Sequence, residues 1–150
     1  MARTIIEKMG VHKGMRAYFL NAPSEIVDEI SSDGLTVSSA LKGEFDLIFA
    51  FFTSQKQMRA AFSRLRSHLK QGGRLWLCWP KGRGLHSDLT LQDVINIGYG
   101  CDMVESKSVS VNEVWSALKF TFPRIGKTYE NSYGSLPRHT SAVSVSSHQK

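Results

Sequence analysis

Short apolar runs alternate with amphipathic segments along most of the chain, and this alternation predicts the order of strands and helices. Apolar runs of roughly four to eight residues between turn residues are typical of buried strands, whereas apolar positions spaced three and four apart are typical of a helix face. The predicted strands are residues 15–20, 35–37, 45–52, 74–79, 104–111 and 115–122. The predicted helices are residues 24–30, 54–70 and 90–99.

The strongest pattern is the run F-D-L-I-F-A-F-F at residues 45–52, which predicts a central strand covered on both faces. The helix after it is predicted to begin at a Ser54 cap and to end at Gly72-Gly73. Its apolar stripe consists of Met58, Ala61, Phe62, Leu65 and Leu69.

Capping residues support the other two helices. Ser24 follows Pro23 and is a candidate cap of the first helix. Thr90 and Asp93 have the spacing of a capping box, which predicts the start of the last helix.

The order of these elements predicts an α/β, truncated Rossmann-like domain with a mostly parallel sheet, helices on both faces and a C-terminal antiparallel hairpin. The hairpin turn falls around Asn112-Glu113. Only seven residues separate Val37 from Phe45, whereas a parallel crossover through a helix needs about a dozen. One strand–helix unit is therefore expected to be absent, and residues 35–37 are expected at a sheet edge or outside the sheet.

Composition divides the chain into a domain at residues 1–124 and a Ser-rich tail at residues 125–150, which we expect to be disordered. The net charge is +6. Residues 1–123 hold 15 basic and 12 acidic side chains, so half of the excess charge lies in residues 124–150. The charge of the domain itself is thus only weak support for a nucleic-acid partner.

Cysteine content and hydropathy exclude several classes of protein. Two cysteines, Cys78 and Cys101, are too few for a disulfide scaffold and lack the paired spacing of a zinc site. No apolar run reaches the length of a secretory signal or of a membrane span. We expect a cytoplasmic protein with no metal and no membrane association.

Three stretches resemble class I S-adenosylmethionine-dependent methyltransferases. K-G-M-R-A-Y-F-L-N-A-P resembles their first strand and turn, F-D-L-I-F-A-F-F their fourth strand, and L-K-Q-G-G-R-L-W-L the turn into their fifth. More closely, G-M-R, W-P-K, S-D-L-T and V-W-S-A-L-K-F resemble a family of small bacterial proteins of unknown function related to those enzymes. The resemblance covers roughly residues 9–123 and implies a methyltransferase-like fold.

The residues at the cofactor positions depart from that family. Its first strand ends in an acidic residue followed by a Gly-x-Gly turn, and the matching positions here are Phe19, Asn21 and Pro23. Glycine lets the backbone approach the cofactor closely, whereas proline fixes φ and has no N–H. The carboxylate expected after the second strand is replaced by Ser38 and Ser39. We therefore expect no S-adenosylmethionine cofactor.

Ligands of open α/β sheets bind beyond the carboxyl ends of the strands, where four predicted loops meet in this chain. The candidate ligand-binding residues in these loops are Asn21, Ser24, Trp79, Lys81, Arg83, Ser87, Asp88, Glu113 and Trp115. Lys81 and Arg83 alternate with glycines and suit a small anionic ligand.

Each of these candidates also has a structural interpretation, which we favour. The Lys81–Gly84 loop is then solvated, Ser87 or Asp88 caps the following helix, and Glu113 pairs with Lys81 or Arg83. The two tryptophans pack in the core, and Cys78 is an inert core thiol.

The helix at 54–70 has a basic face and contains no acidic residue. The cations of this face, opposite the apolar stripe, are Lys56, Arg59, Arg66 and Lys70. Such a face can contact phosphates, but basic helix surfaces are common, and we favour a solvated face over nucleic-acid contact.

The sequence thus predicts a non-catalytic, methyltransferase-like module that binds a small anionic ligand or a protein partner. Two alternatives stay open. One is an S-adenosylmethionine-dependent methyltransferase with an atypical pocket. The other is a weak nucleic-acid binder that uses the basic helix.

Overall fold

The computed structural model describes residues 5–32, 34–124, 129–131 and 134–136. Its α-helices are α1 (Ile5–Lys8), α2 (Ser24–Ser31), α3 (Gln55–Arg66) and α4 (Leu91–Gly100), and a 3₁₀ helix spans Lys81–His86. Its strands are β1 (Arg16–Leu20), β2 (Thr36–Ser38), β3 (Phe45–Phe51), β4 (Leu69–Pro80), β5 (Val104–Ser110), β6 (Trp115–Thr121), β7 (Tyr129–Asn131) and β8 (Gly134–Leu136).

Six strands form one sheet in the order β2-β1-β3-β4-β6-β5. The first four of these are mutually parallel, whereas β6 runs antiparallel to both β4 and β5. The predicted α/β fold, with a mostly parallel sheet and a closing antiparallel hairpin, is confirmed.

The core lies on both faces of the sheet because alternate residues of each strand point to opposite sides. In β3, Leu47 and Phe49 join the cluster formed with α1 and α2, and Ile48 and Ala50 join the cluster formed with α3 and α4. All four of these side chains are fully buried. The nearly continuous apolar sequence of β3 is therefore explained by helices on both faces.

The strand β2 lies at the sheet edge, and residues 39–44 connect it to β3 without a helix. This path is short because β2 has three residues and pairs only with the first part of β1. Arg16 holds the connection, since its guanidinium donates to the carbonyl oxygens of Glu44 at 2.6 Å and Lys42 at 2.8 Å. The same guanidinium lies 4.0 Å from the centre of the Phe45 ring.

The predicted end of α3 is wrong. The helix ends at Arg66, and Leu69 and Lys70 belong to β4. Between the pairs Phe45↔Leu69 and Leu47↔Arg74 the register shifts, so residues 70–73 form a bulge. Gly72 has φ +83°, and a Cβ on Gly73 would lie 2.9 Å from the Lys70 carbonyl oxygen. The two glycines therefore serve the bulge and do not end the helix.

Two predicted caps are confirmed and one is wrong. Ser54 Oγ accepts the Gln57 N–H at 3.1 Å. Thr90 and Asp93 form the predicted capping box at the start of α4. The cap position of α2 is instead Pro23, which has no side-chain hydrogen bond, and Ser24 is the first helical residue.

The strands β7 and β8 fall inside the segment predicted to be a disordered tail, and they pair antiparallel as a small hairpin. These six residues are therefore in strands. The other residues after Arg124 lie outside the described residues, and for them disorder stays a prediction.

Candidate functional site

The candidate residues lie near the end of the sheet that holds the carboxyl ends of the parallel strands. The parallel strands β1, β3 and β4 end there, β6 begins there and β5 ends there. Pro80 pairs with Trp115, and Ser110 pairs with Ser116. The residues that the sequence analysis selected therefore lie at this one end of the sheet, although they do not form one site.

The end of β1 and the turn after it contain Phe19, Asn21 and Pro23, which match the cofactor-binding positions of the methyltransferase family. Phe19 stacks on Phe49, with ring centres 4.9 Å apart and an interplanar angle of 13°. Asn21 adopts φ 55°, and its Nδ2 lies 3.5 Å from the Phe51 carbonyl oxygen. Asparagine tolerates this left-handed conformation better than most residues. The turn thus keeps a backbone conformation typical of glycine, while the carboxylate position is aromatic.

Ser87 and Asp88 accept hydrogen bonds from backbone N–H groups, but neither of them caps α4, the helix for which they were predicted. Asp88 Oδ1 accepts the Gln55 N–H at 2.8 Å and so caps α3, which precedes it in the sequence. Ser87 is buried, and its Oγ accepts the Leu89 N–H at 3.1 Å. The predicted capping of α4 by Ser87 or Asp88 is wrong because Thr90 occupies that position.

We expect Asp88→Ala to lower the free energy of unfolding by about 1 kcal/mol, the usual loss when a helix cap is removed. Urea unfolding measures this change. Asp28→Ala, at an exposed position of α2, is the matched control and should change the stability by less than about 0.5 kcal/mol. Equal losses in the two variants would show that Asp88 has no capping role.

Lys81 contacts the hairpin and not the predicted acid. Its Nζ donates to Ser110 Oγ at 2.5 Å, and its backbone N–H donates to the Val114 carbonyl oxygen at 2.8 Å. Glu113 is exposed in the β5–β6 turn, and among the described residues no ion pair joins it to Lys81. Its pairing with Arg83 stays a prediction. The side chain of Arg83 lies outside the described part of the structure.

The two candidate tryptophans lie on opposite faces of the sheet. Trp79 packs with the α3 and α4 cluster, and Trp115 packs with the α1 and α2 cluster. Trp115 also makes an edge contact with Phe51 at 5.0 Å between ring centres. Both side chains are buried. Because they lie on opposite faces of the sheet, they cannot both contact one ligand.

Some of the candidate residues are divided between two grooves. A groove of about 550 Å³ lies between α4 and the β5–β6 hairpin and includes Trp79 and Lys81. A smaller one of about 280 Å³ lies beside α3 and includes Asn21. The other candidates whose side chains are described line neither groove; they are Ser24, Ser87, Asp88, Glu113 and Trp115.

The sequence did not indicate the serines that line the larger groove. They are Ser108, Ser110 and Ser116. The alternation S-K-S-V-S at residues 106–110 is a weak signal, since it places hydroxyls on one side of a predicted strand. That this side faces the loop after β4 depends on the pairing of β4 with β6, which the sequence does not specify.

Of the four cations in the predicted basic face, only Lys56 and Arg59 lie on α3 with exposed side chains. Lys70 lies on β4 and forms an ion pair with Asp46 at 3.2 Å. Arg66 lies 4.9 Å from the centre of the Phe122 ring. Burial lowers the pKa of Arg66, and the nearby Asp102 partly opposes this effect. A continuous cationic face for nucleic acid is therefore not formed by these four residues.

The remaining candidate chemistry is limited. Cys78 is fully buried, and burial raises the pKa of its thiol, so this cysteine stays protonated. In the described part of the chain, no three His, Cys, Asp or Glu side chains are placed to hold a metal ion. No helix among the described residues is both long and apolar enough to cross a membrane.

Comparison with known proteins gives matches among solved structures alone, since no family model and no curated protein matches the chain. The ribosomal protein L11 methylase of Lactobacillus delbrueckii subsp. bulgaricus has a TM-score of 0.55 and 13% identity, over 80% of this chain and 76% of that chain. A TehB-like SAM-dependent methyltransferase of Corynebacterium glutamicum has a TM-score of 0.50 and 11% identity, over 79% and 85%. The magnesium protoporphyrin IX methyltransferase of Synechocystis, solved with bound SAH, has a TM-score of 0.52 and 12% identity, over 79% and 78%.

The fold is that of the SAM-dependent methyltransferases. Similarity at this level of identity establishes the fold and leaves the activity to the residues of the site. Within the methyltransferase fold, the segments that resemble the fourth and fifth strands are β3 and β4 of this chain. One strand fewer precedes them, which agrees with the direct connection at residues 39–44.

Proposed function

We propose that this chain is a non-catalytic, methyltransferase-like binding module that does not bind S-adenosylmethionine. The observation that carries the proposal is the stack of Phe19 on Phe49 at the end of β1. In the resembling family this position is a carboxylate. An aromatic ring supplies no acceptor for ligand hydroxyls, and polar groups left unpaired on binding cost about 1–3 kcal/mol each.

The end of β2 supports the same proposal. The family has a ribose-binding carboxylate after its second strand, and here Ser38 follows Val37. Ser38 Oγ donates to the Ala40 carbonyl oxygen at 2.8 Å and lies 3.3 Å from the Ala40 nitrogen. This hydroxyl is therefore engaged in a local turn. Two of the groups that hold the cofactor in the family thus lack counterparts.

Calorimetric titration of the full chain with S-adenosylmethionine and S-adenosylhomocysteine tests the proposal. We expect dissociation constants above about 1 mM, which is a binding free energy weaker than about −4 kcal/mol. An active SAM-dependent methyltransferase titrated in the same buffer is the positive control. Micromolar binding of either compound would refute the proposal.

One observation favours an active methyltransferase with an atypical pocket as a second candidate. Asn21 keeps φ at 55° where the family has glycine, so the backbone of the turn retains its shape. Transfer of a labelled methyl group from S-adenosylmethionine to a fraction of cell extract would support this function. Transfer should then survive Asn21→Gly, which suits the turn, and be lost in Asn21→Val, because a β-branched residue is strained at this φ.

The structure gives the nucleic-acid alternative less support than the sequence does. Lys70 is paired with Asp46, and Arg66 packs over Phe122. The small anionic ligand is better supported, and the groove beside Lys81 is where we place it.

A further inference from the structure

The groove between α4 and the β5–β6 hairpin has the size of a small-molecule site. Its volume of about 550 Å³ lies within the range of roughly 300–1,000 Å³ that is usual for ligand pockets. One side is formed by Leu89, Thr90 and the first residue of α4, Leu91, and the other by the paired strands β5 and β6. Lys81 and Gly82 of the 3₁₀ helix also line it.

The hairpin side of the groove carries a group of hydroxyls. Ser110 and Ser116 are directly opposite each other in the antiparallel pair, and Ser108 lies two residues along β5 on the same face. Ser108 and Ser110 are exposed, and Ser116 is partly buried. Ser110 Oγ already donates to the Asn112 carbonyl oxygen at 3.3 Å, so Ser108 and Ser116 are the hydroxyls that can donate to an anion.

Lys81 gives this groove its charge. An ammonium group has three protons, and the one contact of Lys81 Nζ among the described residues is with Ser110 Oγ at 2.5 Å. Among the described side chains that line the groove, none is an aspartate or a glutamate. The nearby Asp93 carboxylate is occupied by the capping box, where its Oδ2 accepts from the backbone N–H and the hydroxyl of Thr90. The groove therefore favours a negatively charged group.

Apolar side chains complete the lining of the groove, and one of them, Trp79, lies on β4 beside Ser116 of the neighbouring strand. Trp79 and Leu89 are almost completely buried and form its inner surface, and Leu91 is 38% exposed at its rim. An apolar surface next to one cation and several hydroxyls suits a molecule with an apolar body and a single anionic group.

We propose that this groove binds a small organic anion, with its charged group on Lys81 Nζ and the serine hydroxyls and its apolar body against Trp79, Leu89 and Leu91. The inference rests on the proposal that the chain is a binding module, and it adds the place and the chemical class of the ligand. It does not depend on the first turn, because Asn21 lies in the other groove.

NMR titration of the full chain with benzoate, phenyl phosphate and benzamide tests the proposal. Both anions should shift the indole N–H signal of Trp79 and the amide signals of Ser108 and Ser110. Benzamide has nearly the shape of benzoate without its charge, so it should bind about tenfold more weakly, the loss of one charge-assisted hydrogen bond. Equal affinities for benzamide and benzoate, or no shifts at these residues with any probe, would overturn the proposal.

Two variants with the same change of charge separate a local site from general attraction. Lys81→Met should weaken benzoate binding about tenfold. Lys107→Met is the matched control, because Lys107 pairs with Lys119, whose side chain lies over Trp76 on the opposite face. Its affinity should stay within about twofold of the wild type. Equal weakening in the two variants would show that the anions respond only to net charge.

A third variant tests the shape of the groove. Ser108→Leu places an apolar side chain in the groove from an exposed position on β5, so it should fold and should weaken benzoate and benzamide alike. Unchanged binding would place the ligand elsewhere. If S-adenosylmethionine binds while benzoate still depends on Lys81, the proposed loss of cofactor binding is wrong and the organic-anion site stands.

Discussion

Gly98→Ala is expected to lower the free energy of unfolding by about 2–3 kcal/mol, the range of a severe overpacking change. A Cβ on Gly98 would lie 2.0 Å from Cε1 and 2.5 Å from Cζ of Phe120. Phe120 is fully buried, and Phe62 makes an edge contact with it at 5.4 Å between ring centres. The ring is confined, so α4 would have to move away from β6. Urea and thermal unfolding measure the loss, which corresponds to roughly 10 °C in melting temperature.

Gly100→Ala is the matched control within the same helix. No atom lies within 4 Å of a Cβ placed on Gly100, and alanine favours a helix over glycine by up to about 1 kcal/mol. We expect this variant to be as stable as the wild type or slightly more stable. A similar loss in both variants would show that the helix backbone, and not the Phe120 ring, determines the effect.

The same substitution links the packing of α4 to the larger groove. Leu91, the first residue of α4, lines that groove, and a shift of the helix away from β6 would widen it. We therefore expect Gly98→Ala to weaken benzoate binding in the same NMR titration, whereas Gly100→Ala should leave it unchanged.

The sheet could be predicted from the sequence because short, nearly continuous apolar runs are typical of buried strands, and β1, β3 and β4 have them. The bulge in β4 could not, because its glycines also suit a helix end and Leu69 continues the apolar stripe of α3. The bulge depends on the pairing of Leu69 with Phe45, 24 residues away in the chain. The sequence around Leu69 does not indicate this distant partner.

The residues near the candidate site were partly predictable for the same reason. Lys81 was identified because it follows a buried strand, and strand ends form ligand sites in this class of fold. Its partner Ser110 is brought to it by the pairing of β4 with β6 and β6 with β5. The capping of α3 by Asp88 joins residues 33 positions apart. Long-range pairing thus decides which predicted residues meet.

Phe19→Asp restores the acidic residue that the methyltransferase family has at this position, and we expect it to lower the free energy of unfolding by about 3 kcal/mol. The substitution removes the stack on Phe49, which is worth about 0.5–1.5 kcal/mol beyond its buried area, and it also loses the apolar burial of the ring. Phe19 packs against the core cluster of α1 and α2, so the carboxylate would in addition be partly desolvated. Chemical denaturation at pH 7 measures the loss.

Phe19→Leu is the control, because it keeps an apolar side chain and should cost only about 1 kcal/mol. The difference between the two variants should shrink as the pH falls from 7 to 4, since a protonated carboxyl costs less free energy to bury than a carboxylate. If Phe19→Asp is as stable as Phe19→Leu at pH 7, the end of β1 accepts a carboxylate without strain. The packing at the end of β1 would then not require an aromatic residue, and the stack on Phe49 would not be what excludes a carboxylate from this position.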